Sequence, residues 1–314
     1  MSSDARTRAY YPALNALGLI IMIFGLLMSF PLVVSAWLGD GATLAYDQGL
    51  FVTFVAGLLL WAATRSKRRD LRVHDGFLLV AATWVVLPVF GSLPLMAYIP
   101  ELGFTDAYFE AVSGLTATGA TVLSGLDELP ISINLWRTFM HWVGGMGVIV
   151  LVVAILPLLG IGGRQLYKAE VPTPMKDSSL TPRIAETAKG LWLTYVLLTI
   201  ACGFSLWWVG LEPWDAVIHA FSVAGLGGFS NRDASLGHFD SVGVELVTIG
   251  FALLAGLNYA THYLALVRRS SAPYRRDPEI PFYFGVLVFS TVMLTAYLLA
   301  QGVFTDVGEA LRYV

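Results

Sequence analysis

The sequence predicts an all-α membrane protein: an N-terminal helical hairpin, then repeated units of span, short re-entrant helix, glycine turn and span. Three observations predict it. Of 314 residues, 56% are hydrophobic and 13% charged, with a mean hydropathy of +0.70; a soluble domain carries about 25% charge. All but three of the basic residues lie in segments that fall on one side of an alternating series of apolar runs. One stretch of the chain also recurs further on, in register and without gaps.

Apolar runs long enough to cross a bilayer are predicted at 14–38, 49–63, 76–99, 133–159, 190–210, 242–266 and 282–300. The first follows Arg6 and Arg8, as a signal peptide would. It is too long for an h-region and lacks a clear small-residue cleavage site, so it reads as a retained span, kinked near Pro31. The second is short and extends back towards Tyr46.

All but three of the 19 basic residues lie in four polar segments. These hold Arg6 and Arg8; Arg65, Lys67, Arg68, Arg69 and Arg72; Arg164, Lys168, Lys176, Arg183 and Lys189; and Arg268, Arg269, Arg275 and Arg276. Alternation puts every one of them on the same side, which the positive-inside rule makes the cytoplasm, N-terminus included. The other side keeps Arg137, Arg232 and Arg312 beside Asp40, Asp47, Glu101, Asp127, Glu128, Glu212, Asp233 and Asp240. Such acids either concentrate cations at an entrance or are simply tolerated, because carboxylates contribute little to topology.

Residues 105–117 and 213–226 are too short and interrupted to span, yet both lie between runs whose ends face outside. Each is predicted to dip in as a helix and return irregularly. Between two long apolar runs, Thr116-Ala117-Thr118-Gly119-Ala120-Thr121 is small, polar and glycine-containing. At membrane depth such backbone cannot face lipid; lining a watery path with its carbonyls would satisfy it.

Self-comparison strengthens this reading. Asp106-Ala107-Tyr108-Phe109-Glu110-Ala111-Val112-Ser113 aligns with Asp215-Ala216-Val217-Ile218-His219-Ala220-Phe221-Ser222, and the same displacement puts Gly119 on Gly228 and Thr121 on Ser230. The flanking runs correspond too, 76–99 with 190–210 and 133–159 with 242–266, so the copies are parallel. A third copy begins at Phe282, with 309–314 falling where 106–111 did, and stops inside its short helix. The expected division is a hairpin over 1–70, units over 71–165 and 166–270, and an incomplete third over 271–314. Read so, the chain is a truncated sequence, and a fourfold pore would need further units.

These residues resemble the Trk/Ktr/HKT superfamily of potassium uptake proteins, most closely the bacterial Trk membrane subunit. The resemblance rests on Ala117-Thr118-Gly119-Ala120-Thr121, Trp142-Val143-Gly144-Gly145-Met146-Gly147, Ile155-Leu156-Pro157, the run from Leu180 to Lys189, and Gly227-Gly228-Phe229-Ser230. It implies four span–pore–span units in the complete family, with Gly119 and Gly228 as two of four filter glycines. It also implies potassium as the substrate, a homodimer in the cytoplasmic (inner) membrane, and a cytoplasmic nucleotide-binding regulatory subunit of the TrkA type. The family's third and fourth filters, gating loop and pore arginine have no counterpart in this chain.

A partly dehydrated cation needs oxygen ligands, and backbone carbonyls supply them without fixed charge. The candidate filter residues are Thr116, Ala117, Thr118 and Gly119 in the first loop and Leu226, Gly227 and Gly228 in the second. Gly144, Gly145 and Gly147 read first as close helix packing and second as a flexible point. Arg137 either pairs with an outer carboxylate or fixes the pore loop. Thr181-Pro182 starts a helix, and Glu186 and Lys189 on its extension are either solvated or face a regulatory subunit. His141, His219 and His262 show no ligand spacing. Gly160, Gly162 and Gly163 miss the dinucleotide fingerprint, and the lone Cys202 excludes an internal disulfide or a thiolate cluster.

The leading functional reading is channel-like potassium uptake gated from the cytoplasmic side, with no cofactor, no nucleic acid and no enzyme chemistry in the chain, and lipid as its solvent. The competing readings are a secondary cation symporter with a broken-helix site, an intramembrane enzyme, and a fragment that works only with the missing units or by pairing two chains.

Overall fold

The computed structural model describes residues 10–65, 73–145, 147 and 181–314. Arg6, Arg8, most of the first basic loop, all but Arg183 and Lys189 of the second, and 148–159 of the fourth predicted span lie outside them. Among the described residues every regular element is helical. The chain forms two compact units, residues 1–256 and 257–314.

The first unit opens with α1 (Tyr11–Leu27) and α2 (Ser29–Leu38), divided at Met28. Pro31 explains the break: it has no N–H for the Leu27 carbonyl, and its ring crowds that carbonyl. Gly39 ends α2 in the left-handed conformation at φ 65°, and α3 (Thr43–Thr64) returns, starting earlier than its apolar run suggested. The hairpin packs backbone to backbone. A Cβ on Gly18 would lie 2.9 Å from the Gly57 carbonyl oxygen, and one on Gly57 would lie 2.7 Å from the Met22 nitrogen. Small residues are what permit this approach in an apolar solvent.

The predicted span 76–99 is α4 (Val73–Gly91) and α5 (Leu93–Tyr98), broken at Ser92 between Pro88 and Pro94. Then come α6 (Phe104–Leu115) and α7 (Ile131–Gly145). The second repeat follows as α8 (Thr181–Trp208), α9 (Pro213–Ala224) and α10 (Val242–Ala255). Phe24, Tyr46, Leu79, Leu115, Trp136 and Met140 form the centre of the main core. Its buried polar tips are satisfied: Tyr46 donates to the Ser132 carbonyl at 2.7 Å, and Trp136 Nε1 donates to Gly91 at 2.9 Å. At the outer end Asp40 accepts from Ser35 Oγ at 2.5 Å and from the Ser132 N–H at 3.0 Å, tying the hairpin tip to the start of α7. Burial pushes the Asp40 carboxyl up, and the hydrogen bonds outweigh it, holding its pKa below the ordinary 3.8.

The second unit holds α11 (Tyr259–Arg268), α12 (Ala272–Arg276), α13 (Glu279–Ala300) and α14 (Val307–Tyr313). Thr261 donates to Asp277 at 2.6 Å and His262 Nδ1 meets Tyr274 Oη at 2.8 Å. The predicted span 242–266 is not one continuous helix. Its helix ends at Ala255, and Asn258 caps a new one by accepting from the Ala260 N–H at 2.9 Å. An asparagine acceptor at that position starts a helix more readily than it continues one.

Among the described residues five helices are long and apolar enough to cross a membrane: Tyr11–Leu38, Thr43–Thr64, Asp75–Tyr98, Lys189–Trp208 and Glu279–Ala300. Outward residues on them, such as Leu59, Ile200, Phe204 and Phe289, are more than half exposed apolar side chains. That is the surface of a protein dissolved in lipid.

Candidate functional site

The two short helices end alike. In α6 the Ala117 N–H donates to Gly114 at 3.1 Å and the Thr118 N–H to Ser113 at 2.9 Å; in α9 the Leu226 N–H donates to Val223 at 3.1 Å and the Gly227 N–H to Ser222 at 2.9 Å. These are paired Schellman closures, whose left-handed position is usually glycine. Here it is Ala117 at φ 52° and Leu226 at φ 55°. Two residues on, Gly119 and Gly228 are left-handed again, at φ 77° and 87°. The intervening residues are not.

Alternating hand turns successive peptide groups the same way, whereas in a strand they alternate. The helix-end carbonyls of Ser113, Gly114, Ser222 and Val223 are taken up by the closures. Among the described residues no hydrogen bond is accepted by the carbonyls of Thr116, Ala117, Thr118, Gly119, Leu226, Gly227 or Gly228. All seven candidate filter residues therefore fall in two matching loops whose carbonyl oxygens accept no hydrogen bond among the described residues.

The loops lie side by side. A Cβ on Gly119 would overlap the Gly227 carbonyl oxygen. Helix α7 presses on both from behind: a Cβ on Gly144 would overlap the Leu115 carbonyl, one on Gly145 would come 2.5 Å from the Gly225 Cα, and one on Gly227 would overlap the His141 ring. Close packing accordingly accounts for Gly144 and Gly145. The ring of His141 stacks on Phe229 at 4.1 Å between centroids.

Each loop is also braced by its own helix, with different chemistry. In the first repeat Glu110 accepts from Thr121 Oγ1 at 2.9 Å and from the Val122 N–H at 3.1 Å. The matching pair in the second repeat is His219 and Ser230, 3.0 Å apart, with His219 Nδ1 set 2.7 Å from the Asp215 carbonyl. A donor at Nδ1 leaves Nε2 to accept from the serine hydroxyl.

Arg137 on α7 engages both loops. It donates through Nε to Glu110 at 2.8 Å, and a terminal nitrogen lies 2.7 Å from the same carboxylate. Further donations reach Asn134 Oδ1 at 3.0 Å, Thr121 Oγ1 at 3.1 Å and the Ser230 carbonyl at 3.0 Å. Its guanidinium carbon lies 4.4 Å from the centre of the Phe229 ring. The side chains of Arg137 and Glu110 are both fully buried. Of the two expectations for Arg137, the outer-carboxylate partner is replaced by a buried one.

Outside this layer the loops clasp one another. Asp127 accepts from the Asp233 N–H at 3.1 Å, while Asp233 accepts from the Gly125 and Leu126 N–H groups at 3.0 and 3.1 Å. Arg232 bridges Asp127 at 3.3 Å and Asp215 at 2.8 Å. The Asp233 N–H, and then Arg232 and His238, hold the Asp127 carboxyl below its usual 3.8. Asp40, Asp127 and Asp233, three of the outer acids, are thus fastened into structure.

Glu110 was not among the expected site residues. Its sequence signal was an acid within a short helix otherwise rich in alanine and glycine on one side, facing a span with a lone arginine. A further regularity is local: Asp106, Asp215 and Glu309 are each the third residue of their helices, and each precedes a buried alanine, Ala107, Ala216 and Ala310.

Fold and loops together define a multi-pass helical membrane protein of the repeated span–pore helix–span type. Residues 44–307 match the TrkH family of cation transport proteins, and the chain belongs to that family. The Trk system potassium uptake protein TrkH of Escherichia coli K12 is 46% identical over 290 residues, covering 92% of this chain and 60% of that protein. TrkH of Vibrio parahaemolyticus is 44% identical over 300 residues, 95% and 62% of the two chains, and TrkG of Escherichia coli K12 is 37% identical. The crystal structure of the potassium transporter TrkH from Vibrio parahaemolyticus superimposes with a TM-score of 0.82 at 40% identity, covering 96% of this chain and 62% of that one. The chain spans about 60% of the length of the curated relatives it matches.

Proposed function

We propose that this chain contributes two walls of a potassium-selective filter, and that the protein takes up potassium across the cytoplasmic membrane by channel-like passage gated from the cytoplasmic side. The observation that carries the reading is the pair of matching loops whose carbonyls accept no hydrogen bond among the described residues. Carbonyl dipoles replace a hydration shell without trapping the ion. Thr116, Ala117, Thr118 and Gly119, with Leu226, Gly227 and Gly228, are the residues assigned to it.

The same reading divides the chain into a hairpin over 1–70, repeats over 71–165 and 166–270, and a third over 271–314, with the N-terminus cytoplasmic. The distribution of basic residues and the corresponding α6 and α9 loops support that division. The relatives are named as parts of a Trk system, which implies further components; a cytoplasmic nucleotide-binding regulatory subunit as one of them, and a homodimeric membrane assembly, are part of the same proposal. Replacing Gly119 or Gly228 by serine tests it. Potassium-limited growth and the ratio of potassium to sodium uptake should both fall, and unchanged values for both variants would overturn the filter assignment.

A further inference from the structure

Besides Asn134 on its own helix, Arg137 donates to groups from three other places: Glu110 on α6, Thr121 at the far end of the first loop, and the Ser230 carbonyl at the far end of the second. Thr121 and Ser230 each stand two residues beyond a left-handed glycine, Gly119 and Gly228. A guanidinium is planar and rigid, so it holds its acceptors at set separations in a way that a flexible ammonium does not. Phe229, next to Gly228, lies under the same cation.

We propose that Arg137 is a positioning residue that sets the spacing between the two carbonyl rows and thereby the discrimination among cations of different size. The proposal rests on the filter reading above. The Glu110 carboxylate neutralises the guanidinium at 2.7 Å, so the effect on a passing ion is steric, through the loops, and not repulsion by a free charge. Stability alone is a poor reason for the pair, because buried ion pairs are often no better than apolar packing. The device is also not a property of each repeat. The displacement that matches the two loops puts Leu246, a 64% exposed residue, opposite Arg137, and His219 opposite Glu110. One bridge therefore serves two walls.

The test compares Arg137→Lys, Arg137→Gln and the double variant Glu110→Gln/Arg137→Gln with Gly119→Ser, in membranes or proteoliposomes. Potassium, rubidium and sodium uptake are measured alongside thermal stability in detergent. Arg137→Lys keeps a charge for Glu110 and loses the reach to Ser230, so it should fold with potassium-over-sodium preference reduced about tenfold, the scale of one charged hydrogen bond lost from a positioning network. Arg137→Gln should reduce it at least as far; if that variant fails to fold, the double variant, which leaves no lone buried charge, decides. Folded Arg137→Lys and double variants with the parental preference would overturn the proposal. If Gly119→Ser shifts the preference while they do not, only the bridge is wrong. If Gly119→Ser does not shift it either, the filter reading fails as well.

Discussion

Ala117 and Leu226 hold the same left-handed backbone conformation, at φ 52° and 55°, each as the first residue beyond the capped end of its short helix. A residue with a Cβ is disfavoured there by about 1–2 kcal/mol relative to right-handed backbone. Strain of this kind persists where surrounding structure over-determines it, and it gathers at functional sites. Here the paired closure behind each residue holds it in that conformation.

Ala117→Gly and Leu226→Gly should therefore raise stability. Relief of about 1–2 kcal/mol exceeds the roughly 0.4–1 kcal/mol by which glycine favours the unfolded chain. Leu226 is half exposed, so the side chain it gives up offsets part of the gain and the smaller rise is expected there. The expected result is a higher unfolding temperature in detergent for both. A lower one in either case would show that the conformation is unstrained.

The Glu110–Arg137 pair should show strong coupling. Removing one partner strands a buried charge, which costs about 3–5 kcal/mol. Glu110→Gln and Arg137→Met should each approach that loss, while the double variant should lose clearly less than their sum. A double-mutant cycle by chemical or thermal unfolding measures the difference; strictly additive losses would mean that the two charges do not depend on each other.

Gly227 and His141 offer a steric counterpart. All three nearest atoms to a Cβ on Gly227 belong to the His141 ring. Gly227→Ala alone should lose about 1–3 kcal/mol from overpacking. Adding His141→Ala vacates the space, so the alanine at 227 should then be much better tolerated. A penalty at 227 that is the same in both backgrounds would place the clash elsewhere.

The outer clasp should loosen in acid. The Asp127 pKa is held below 3.8 in the folded protein, first by the Asp233 N–H and then by Arg232 and His238. A depressed carboxylate adds stability that is present above its unfolded value and is lost as pH falls through the folded one. Proteolysis or hydrogen exchange at 125–128 and 231–233 should therefore accelerate below about pH 4. Asp127→Asn should show the faster opening already at neutral pH and little further change on acidification.

Much of the fold was legible in the sequence because the quantities that set it are local. Transfer of apolar side chains to lipid is decided residue by residue, so the apolar runs mark the helices. The kink near Pro31 follows from a missing N–H. The matching of 106–113 with 215–222 points to both loops, and the closures at Ala117 and Leu226 repeat bond for bond. The exception is instructive. The run 242–266 is uniformly apolar enough to read as one span, yet Asn258 starts a second helix, because a side-chain cap competes with helix continuation in a way that hydropathy does not register.

By itself the sequence determined the membrane class, the repeat, and the seven residues of the two loops, all of which depend on composition, period and backbone preference along the chain. Only the tertiary structure decided that Arg137 pairs with Glu110, that the same arginine reaches Ser230 in the other repeat, and that Asp127 and Asp233 are fastened to each other's loops. Those partnerships join groups far apart in sequence, and their distances are set by how closely helices pack. The glycines at 144, 145 and 227 bring α7 against both loops, and with that contact made a buried arginine finds its acceptors in both.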